Sequence, residues 1–170
     1  MPRALSAPFR YSLERQETGE ALIVFLTITH PALSEAIRVV SDGVDYVWNG
    51  LTYTGFPFEI SLISDGDRPP SAQLSVQNVD RRIGEAVRDL ASPPRLRIDV
   101  LAASDFDESA TPRVSATTGE PEAEYTAASL FLANVRGDAF LEAEITGWNY
   151  LQEVWPGIRA TQNRLPGLYR

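Results

Sequence analysis

The sequence predicts a mainly β domain: an antiparallel β-sandwich or barrel-like roll with one inserted α-helix and an extended C-terminal arm. Three observations predict this fold class. Short apolar segments alternate with a period of two, turn residues separate them at short intervals, and one segment alone has a convincing helical period. The chain has 170 residues, which fits a single domain, residues 1–170, with a core of its own.

Eight or nine strands are predicted from β-branched and alternating runs. Residues 21–29 (ALIVFLTIT) are apolar throughout and predict a strand buried on both faces. Residues 95–101 alternate, so we expect Leu96, Ile98 and Val100 on one face, and the polar side chains on the other face of a half-buried strand. Those polar residues are Arg95, Arg97 and Asp99. The other predicted strands are 37–40, 56–64, 72–76, 127–135 and 139–146, with 149–154 as a further candidate.

The clearest local signal is Asn49-Gly50, which stands between the alternating segments 44–48 and 51–54. Asn and Gly tolerate the positive φ that both central residues of a type I′ turn require. The sequence therefore predicts a two-residue β-hairpin here.

The inserted helix is predicted at about residues 80–91. Asp80 is a suitable N-cap, an apolar stripe follows at Ile83, Val87 and Leu90, and Ser92-Pro93-Pro94 ends the helix. Residues 8–18 predict a short helix or ordered lead-in, with Phe9, Leu13 and Tyr11 turned inward.

Two segments are predicted to lie outside the regular fold. Residues 103–123 are polar and aperiodic, which indicates an exposed loop or an insertion with local disorder, of the kind compact domains keep for binding. Residues 156–170 contain prolines and little periodicity, which indicates an extended arm. From 105 to 124 there are six acids and one arginine, whereas the arm has three arginines and no acid.

This charge asymmetry suits head-to-tail contact between copies of the chain, although a solvated basic tail on an acidic body is an equally good interpretation. The candidate interface residues are Arg159, Arg164, Leu165, Leu168, Tyr169, Arg170, Asp105 and Asp107.

Composition argues against several classes of function. The net charge of −8 disfavours a nucleic-acid partner, and the absence of cysteine removes disulfides and thiolate metal sites. No apolar run is long enough for a membrane-spanning helix, and the N-terminus lacks the pattern of a secretory signal. We therefore expect no membrane partner and synthesis in a cytoplasm.

No catalytic constellation is evident, so we expect a protein that is not an enzyme and has no catalytic, metal-binding or cofactor-binding residues. His30 is the single histidine and is expected to be structural or exposed; no Gly-x-Ser-x-Gly elbow occurs. Acids crowd two loops, at 65–67 and 105–108, where oxygen ligands could suit calcium. The alternation of acids around a fixed glycine that a calcium loop needs is missing, so solvated loop acids are the favoured interpretation.

The aromatic residues near the hairpin have two interpretations. Tyr46 and Trp48 share one strand face, as do Phe56 and Phe58, with Tyr53 nearby. Such a set could stack on a sugar, but cross-strand aromatic pairs also stabilise hairpins, and core packing is favoured.

The order of several segments resembles a known family. Residues 47–53 (VWNGLTY), then Phe56-Pro57-Phe58, Arg68-Pro69-Pro70 and 74–79 (LSVQNV) resemble the N-terminal domain of the tail tip protein L of lambda-like bacteriophages, and so do Pro156-Gly157 and Tyr169-Arg170. The resemblance covers roughly residues 20–170 and depends on order and spacing, since no single motif is specific.

The resemblance implies a structural virion protein of the tail tip or baseplate, a distal tail or hub-associated subunit that links the tail tube to the central hub. Its expected partners are itself, as a trimeric or hexameric ring, and the distal tail ring and hub proteins. Its expected location is the virion tail, assembled in the host bacterial cytoplasm. In the lambda-like family a cysteine-ligated iron–sulfur cluster follows this domain; this chain has no cysteine, so no cofactor is expected.

Two other functions stay open at the level of the sequence. One is a carbohydrate-binding β-sandwich that recognises a host receptor, which requires an exposed Tyr46 or Trp48. The other is a tail-tip cell-wall hydrolase, which requires a carboxylate pair or a metal that the sequence does not identify.

Overall fold

Within the part of the chain that the structure describes, the fold is a rolled nine-stranded sheet preceded by one short α-helix. The computed structural model describes residues 6–61, 71–77, 90, 92–136, 140–147 and 164. Within those residues the elements are α1 (Ala7–Glu14), β1 (Leu22–Thr29), β2 (Ile37–Val40), β3 (Tyr46–Trp48), β4 (Leu51–Gly55), β5 (Phe58–Ile60), β6 (Ser71–Gln77), β7 (Arg95–Ala102), β8 (Tyr125–Arg136) and β9 (Phe140–Thr146).

The strands form one sheet in the order β3-β4-β2-β1-β7-β8-β9-β6-β5. All neighbours pair antiparallel except β2 and β4, which are parallel over two residue pairs. The long central pairings are β1 with β7 and β6 with β9. The predicted mainly β fold class, a sandwich or barrel-like roll, is thus confirmed.

The sheet curls around an inner core. Side chains from strands that are far apart in the sheet order, such as Leu26 on β1 and Leu74 on β6, belong to one buried cluster. The alternation predicted for 72–76 is confirmed, because Ala72, Leu74 and Val76 all face this core. Burial of the apolar face of every long strand in one cluster is the main favourable term for such a roll.

Strand β1 lies between two cores, which confirms the prediction that it is buried on both faces. Leu26 and Ile28 point into the inner core, whereas Ile23 and Phe25 point into a second core on the opposite face of the sheet. The second core is built from residues of β1, β2, β3, β4, β7 and the loop after β7; its buried members are Ile23, Phe25, Val40, Tyr46, Trp48, Tyr53, Leu101 and Phe106.

The predicted hairpin is confirmed in position and turn type. Trp48 on β3 pairs with Leu51 on β4, which leaves Asn49 and Gly50 as the two turn residues. Both have positive φ, 52° and 69°, as a type I′ turn requires. The right-handed twist of this turn carries the hairpin over the outer face of β1 and β2, where it covers the second core.

Strand β7 differs from its prediction at one residue. The alternation is present, but Asp99 is buried, not exposed on a wet face. Two partners compensate for its burial: Arg97 donates to both carboxylate oxygens at 2.7 and 3.0 Å, and Thr126 Oγ1 donates at 2.6 Å. The second core, which the alternation alone does not indicate, covers this end of β7.

The N-terminal segment forms α1, with Ser6 as its N-cap, because the Ser6 hydroxyl accepts a hydrogen bond from the Phe9 N–H at 3.2 Å. Phe9 is buried as predicted, but the inward orientation of Leu13 and Tyr11 is wrong, since both are more than half exposed. An eight-residue helix that docks through one residue near its N-terminus leaves its last turn in solvent.

Other predictions fall partly or wholly on residues outside the described set. The strands at 127–135 and 139–146 correspond to β8 and β9, and the N-terminal part of 56–64 corresponds to β5. The inserted helix at about 80–91 lies outside the described residues apart from Leu90, which is not helical. The strand at 149–154 also lies outside them.

Candidate functional site

The candidate site is the segment 103–123, which we call the acidic loop and which many hydrogen bonds and aromatic contacts attach to the sheet. It lies over the second core, whose centre is the fully buried ring of Phe25. The Phe25 ring is 4.9–5.7 Å, centroid to centroid, from four other aromatic rings: those of Tyr53, Trp48, Tyr46 and Phe106. Three of these four rings come from the hairpin and one from the acidic loop, so the cluster joins the loop to the sheet.

The middle of the acidic loop pairs with the hairpin through the backbone. The Val47 N–H donates to the Arg113 carbonyl and the Arg113 N–H donates to the Asp45 carbonyl, both at 2.8 Å. The loop also closes on itself, because the Asp107 N–H donates to the Val114 carbonyl at 2.8 Å. These bonds satisfy backbone groups that a free loop would leave to water.

The Arg113 side chain continues this contact. Its Nη1 donates to Asp42 Oδ2 at 3.0 Å and to the Tyr46 hydroxyl at 2.7 Å, and that hydroxyl donates to the same carboxylate at 2.7 Å. Burial of the phenol, followed by its hydrogen bond to Asp42, raises the pKa of Tyr46 to about 12. Tyr46 is therefore a neutral hydrogen-bonding group at physiological pH.

The C-terminal part of the acidic loop is attached to the hairpin tip. The Trp48 Nε1–H donates to the Pro121 carbonyl at 2.9 Å, and the Asn49 N–H donates to Glu120 Oε2 at 3.0 Å. The first bond gives the buried indole the acceptor that it needs.

The base of the acidic loop brings three carboxylates together. Ser104 N–H donates to Glu20 at 3.1 Å, and Glu124 accepts from both the N–H and the hydroxyl of Ser6 at the start of α1. Asp105 is near enough to both of these acids to feel their charges. Burial, and then the charges of Glu20 and Glu124, raise the pKa of Asp105 above its usual value. The described residues nonetheless contain no group of three acids, histidines or cysteines arranged to hold a metal ion.

Three of the eight candidate interface residues, Asp105, Asp107 and Arg164, lie in the part of the chain that the structure describes. Asp105 is half-buried at the base of the acidic loop, whereas Asp107 is exposed. Asp107 accepts hydrogen bonds from the hydroxyl and N–H of Ser109, which lower the pKa of its carboxyl. Arg164 is exposed in a turn. The remaining candidates, Arg159, Leu165, Leu168, Tyr169 and Arg170, lie outside the described residues.

His30 has a structural position. Its Nδ1 accepts the Ala32 N–H at 3.0 Å, so the neutral ring carries its proton on Nε2, which donates to Ser92 Oγ at 2.7 Å. The ring thus links the turn after β1 to the segment before β7. This arrangement agrees with the prediction of a structural histidine.

The aromatic residues of the hairpin pack in the core, as the favoured interpretation predicted. Tyr46, Trp48 and Tyr53 are at most 4% exposed, and Phe56 and Phe58 pack against the inner core. The sugar-binding alternative requires an exposed ring at Tyr46 or Trp48, and neither position supplies one.

The residues that fix the acidic loop are not predicted by the sequence patterns. Phe106 is one aromatic residue in a polar stretch, and it is buried at 3% exposure. Arg113 is the single basic residue among the loop acids. The sequence signals for these two anchors are that Phe106 is the one aromatic residue of the loop and that Arg113 is its one basic residue. Most other side chains of the loop are exposed, but its anchors make it an ordered part of the fold.

These features define a mainly β, rolled-sheet domain whose outer face carries a second, aromatic core and an ordered acidic loop. The chain belongs to the DUF1833 family, described as a domain of unknown function, whose profile matches residues 9–119. The matched stretch runs from α1 into the acidic loop and contains every buried residue of the second core. The second core is thus a feature of the matched region, whereas the acidic loop extends past its end at residue 119.

No curated protein matches the chain in a sequence search. Among the described residues, none of the helices has the length and apolar character needed to cross a membrane.

Proposed function

We propose that this protein is a non-enzymatic structural subunit of a phage-type tail tip or baseplate, located between the tail tube and the central hub. Its partners in this proposal are copies of itself in a ring and the neighbouring tail tip proteins. The observation that carries the proposal is the ordered series of segments that resembles the N-terminal domain of tail tip protein L.

The local structure of these segments supports the proposal. Residues 47–53 form the hairpin, Phe56-Pro57-Phe58 links it to β5, and Leu74 and Val76 point inward from β6. Each segment thus has the kind of structure that its place in the series requires: a hairpin, a short proline link and an apolar strand. The parts of the resemblance at 68–70 and 78–79 lie outside the described residues.

The construction of the surface also supports an assembly role. The acidic loop is anchored at Phe106, Arg113 and Pro121 and displays exposed acids from a rigid base. A pre-ordered loop loses little conformational entropy when a neighbour binds it. His30 and Ser92 are a histidine–serine pair within hydrogen-bond distance, but His30 Nδ1 accepts from the Ala32 N–H, so the neutral ring donates to the Ser92 hydroxyl and does not take its proton.

Residues 157–170 provide a test of this function in particles. If the basic arm contacts a neighbouring subunit, a chain lacking these residues should fold, with an unchanged circular dichroism spectrum, but should be missing from purified particles. A matched variant that keeps the arm length and replaces Arg159, Arg164 and Arg170 with Gln separates the effect of charge from that of length. Normal incorporation of the truncated chain would contradict the role of the arm, and absence of the full-length chain from particles would contradict the proposed function itself.

A further inference from the structure

The outer face of the sheet carries a row of polar side chains next to the second core, which we call the arginine row: Tyr53, Arg38, Thr27 and Arg97. Thr27 on β1 pairs with Arg38 on β2 and with Arg97 on β7, so these three side chains share one face. Val39 and Thr54 pair in parallel, and one step back along that register Arg38 lies beside Tyr53. The Tyr53 hydroxyl is 3.3 Å from Thr27 Oγ1, as this placement requires.

Arg38 lacks an acceptor. Its Nε is buried and has no hydrogen-bond partner in the part of the chain that the structure describes. Buried polar atoms in folded proteins are nearly always paired, because an unpaired one loses its bonds to water without replacement. The Arg38 side chain is half-buried, so an oxyanion can approach its guanidinium from solvent, beside the hydroxyl groups of Thr27 and Tyr53.

At the other end of the row, Asp99 fixes the orientation of the Arg97 guanidinium. Its Nε and Nη2 donate to Asp99, which fixes the plane of the guanidinium, and more than half of the side chain is exposed. Guanidinium groups flanked by hydroxyls recognise oxyanions, and a carboxylate can accept from both kinds of donor.

The row has excess positive charge on an acidic protein. Asp99 compensates Arg97, whereas none of the described acids forms an ion pair with Arg38. Arg95 is exposed one step further along the same face, paired with Thr29. The whole chain has a net charge of −8. Beyond Arg95 the face continues into a recess of about 540 Å³, which gives a protruding segment room to bind.

We propose that the arginine row binds a carboxylate of the acidic loop of a second copy of this chain. The loop is the densest source of exposed carboxylates among the described residues, and Glu108 and Glu122 are exposed on it. Its anchored backbone presents these groups at a fixed position, and opposite charges on row and loop steer the two copies together. The inference deepens the proposed function, because it names a contact by which ring subunits bind one another.

The test compares four purified full-length chains by sedimentation velocity: the wild type, Arg38→Gln, the double variant Glu108→Gln/Glu122→Gln, and Arg10→Gln. Arg10 is exposed on α1, so its replacement removes the same charge elsewhere. The wild type and Arg10→Gln should self-associate alike and less tightly at high salt. Arg38→Gln and the double variant should each associate about tenfold more weakly or worse, the effect expected for losing a charge-assisted hydrogen bond.

The decisive measurement is made on a mixture of the two variants. The Arg38→Gln chain keeps its acidic loop and the double variant keeps its arginine row, so an equimolar mixture should form a one-to-one complex that neither chain forms alone. Arg38→Gln should also unfold at the same temperature as the wild type or higher, because the free subunit loses only an unpaired N–H. That result separates weakened association from misfolding.

A wild type that stays monomeric at its highest soluble concentration would overturn the inference, as would equal association of Arg38→Gln and Arg10→Gln. The proposed function is judged separately, by the presence of the wild type in particles. A particle protein with unaltered Arg38→Gln association would refute this contact alone, whereas association through the row without particle location would refute the tail-tip role alone.

Discussion

Replacing Phe106 with Ala should release the acidic loop while the rolled sheet stays folded. The Phe106 ring is 3% exposed, and its centroid is 5.7 Å from that of Phe25 and 5.0 Å from that of Tyr46. Phe106 belongs to the second core, which shares no buried residue with the inner core. The main contacts among β6, β7, β8 and β9 are therefore unaffected by the change.

The magnitude follows from the lost packing. Truncating a buried Phe to Ala costs about 3–5 kcal/mol, counting both lost transfer free energy and the cavity that remains. If about 3 kcal/mol of this falls on the free energy of loop opening, the open population rises about a hundredfold, because each ~1.4 kcal/mol is a factor of ten. The remaining anchors, at Arg113 and Pro121, set the protection that persists.

Trypsin cleavage after Arg113 measures this opening directly. In the closed loop the Arg113 guanidinium is bound to Asp42 and Tyr46, and its N–H and carbonyl pair with the hairpin, so cleavage requires the open state. We expect the Arg113–Val114 bond, followed by mass spectrometry, to be cut about a hundredfold faster in Phe106→Ala. Val114→Ala, at a side chain 41% exposed in the same loop, should cut at the wild-type rate. Equal rates in both variants would refute the reasoning that Phe106 anchors the loop.

Three further predictions follow from single contacts, each measured by urea unfolding. A Cβ on Gly55 would lie 2.6 Å from the backbone of Val44, so Gly55→Ala should lower the free energy of unfolding by about 2 kcal/mol. A Cβ on Gly43 would have nothing within 4 Å, so Gly43→Ala should change it by less than about 0.5 kcal/mol. Similar losses in the two variants would contradict the close packing at Gly55. Arg97→Ala leaves the buried Asp99 with Thr126 as its remaining side-chain donor among the described residues, and it should cost about 1–2 kcal/mol of stability, reduced by solvent around the exposed guanidinium. The exposed neighbour Arg95→Ala should be nearly neutral; the reverse order would contradict the pairing. Burial raises the pKa of Tyr46 to about 12 from 10.0, so the unfolded chain loses this proton first as the pH rises, and the stability of the wild type should fall between about pH 10 and 12. The stability of Tyr46→Phe should fall less over that window. Identical pH slopes of the two chains would exclude this titration.

Local patterns were sufficient for the parts of the fold that depend on near neighbours in sequence. The Asn49-Gly50 turn was predictable because two adjacent residues determine the turn type. The inward faces of β6 and the buried β1 followed from alternation and from an uninterrupted apolar run. In each case the deciding interactions lie within one strand or one hairpin.

The second core was not predictable in the same way, because its members come together only through the tertiary fold. Phe106 has no apolar neighbours at a strand period, and its burial depends on the hairpin, which crosses the outer face of β1. The burial of Asp99 is a tertiary effect too, because one of its two partners, Thr126, lies on the next strand of the sheet and the second core covers this end of β7. The unpaired Nε of Arg38 has no sequence signal, because it depends on which acceptors the tertiary fold brings near β2.

The central claim, that this chain is a structural subunit of a tail tip, is tested most directly by immunogold electron microscopy. The measurement uses antibody to the whole chain on particles purified from a lysate of the host that carries the gene, with particles lacking the gene as the control. If the chain is a tail tip subunit, gold should be found at the end of the tail farthest from the head, in intact or partly disrupted particles. Absence of gold from both intact and disrupted particles, or gold spread evenly over the host debris, would contradict a tail tip location.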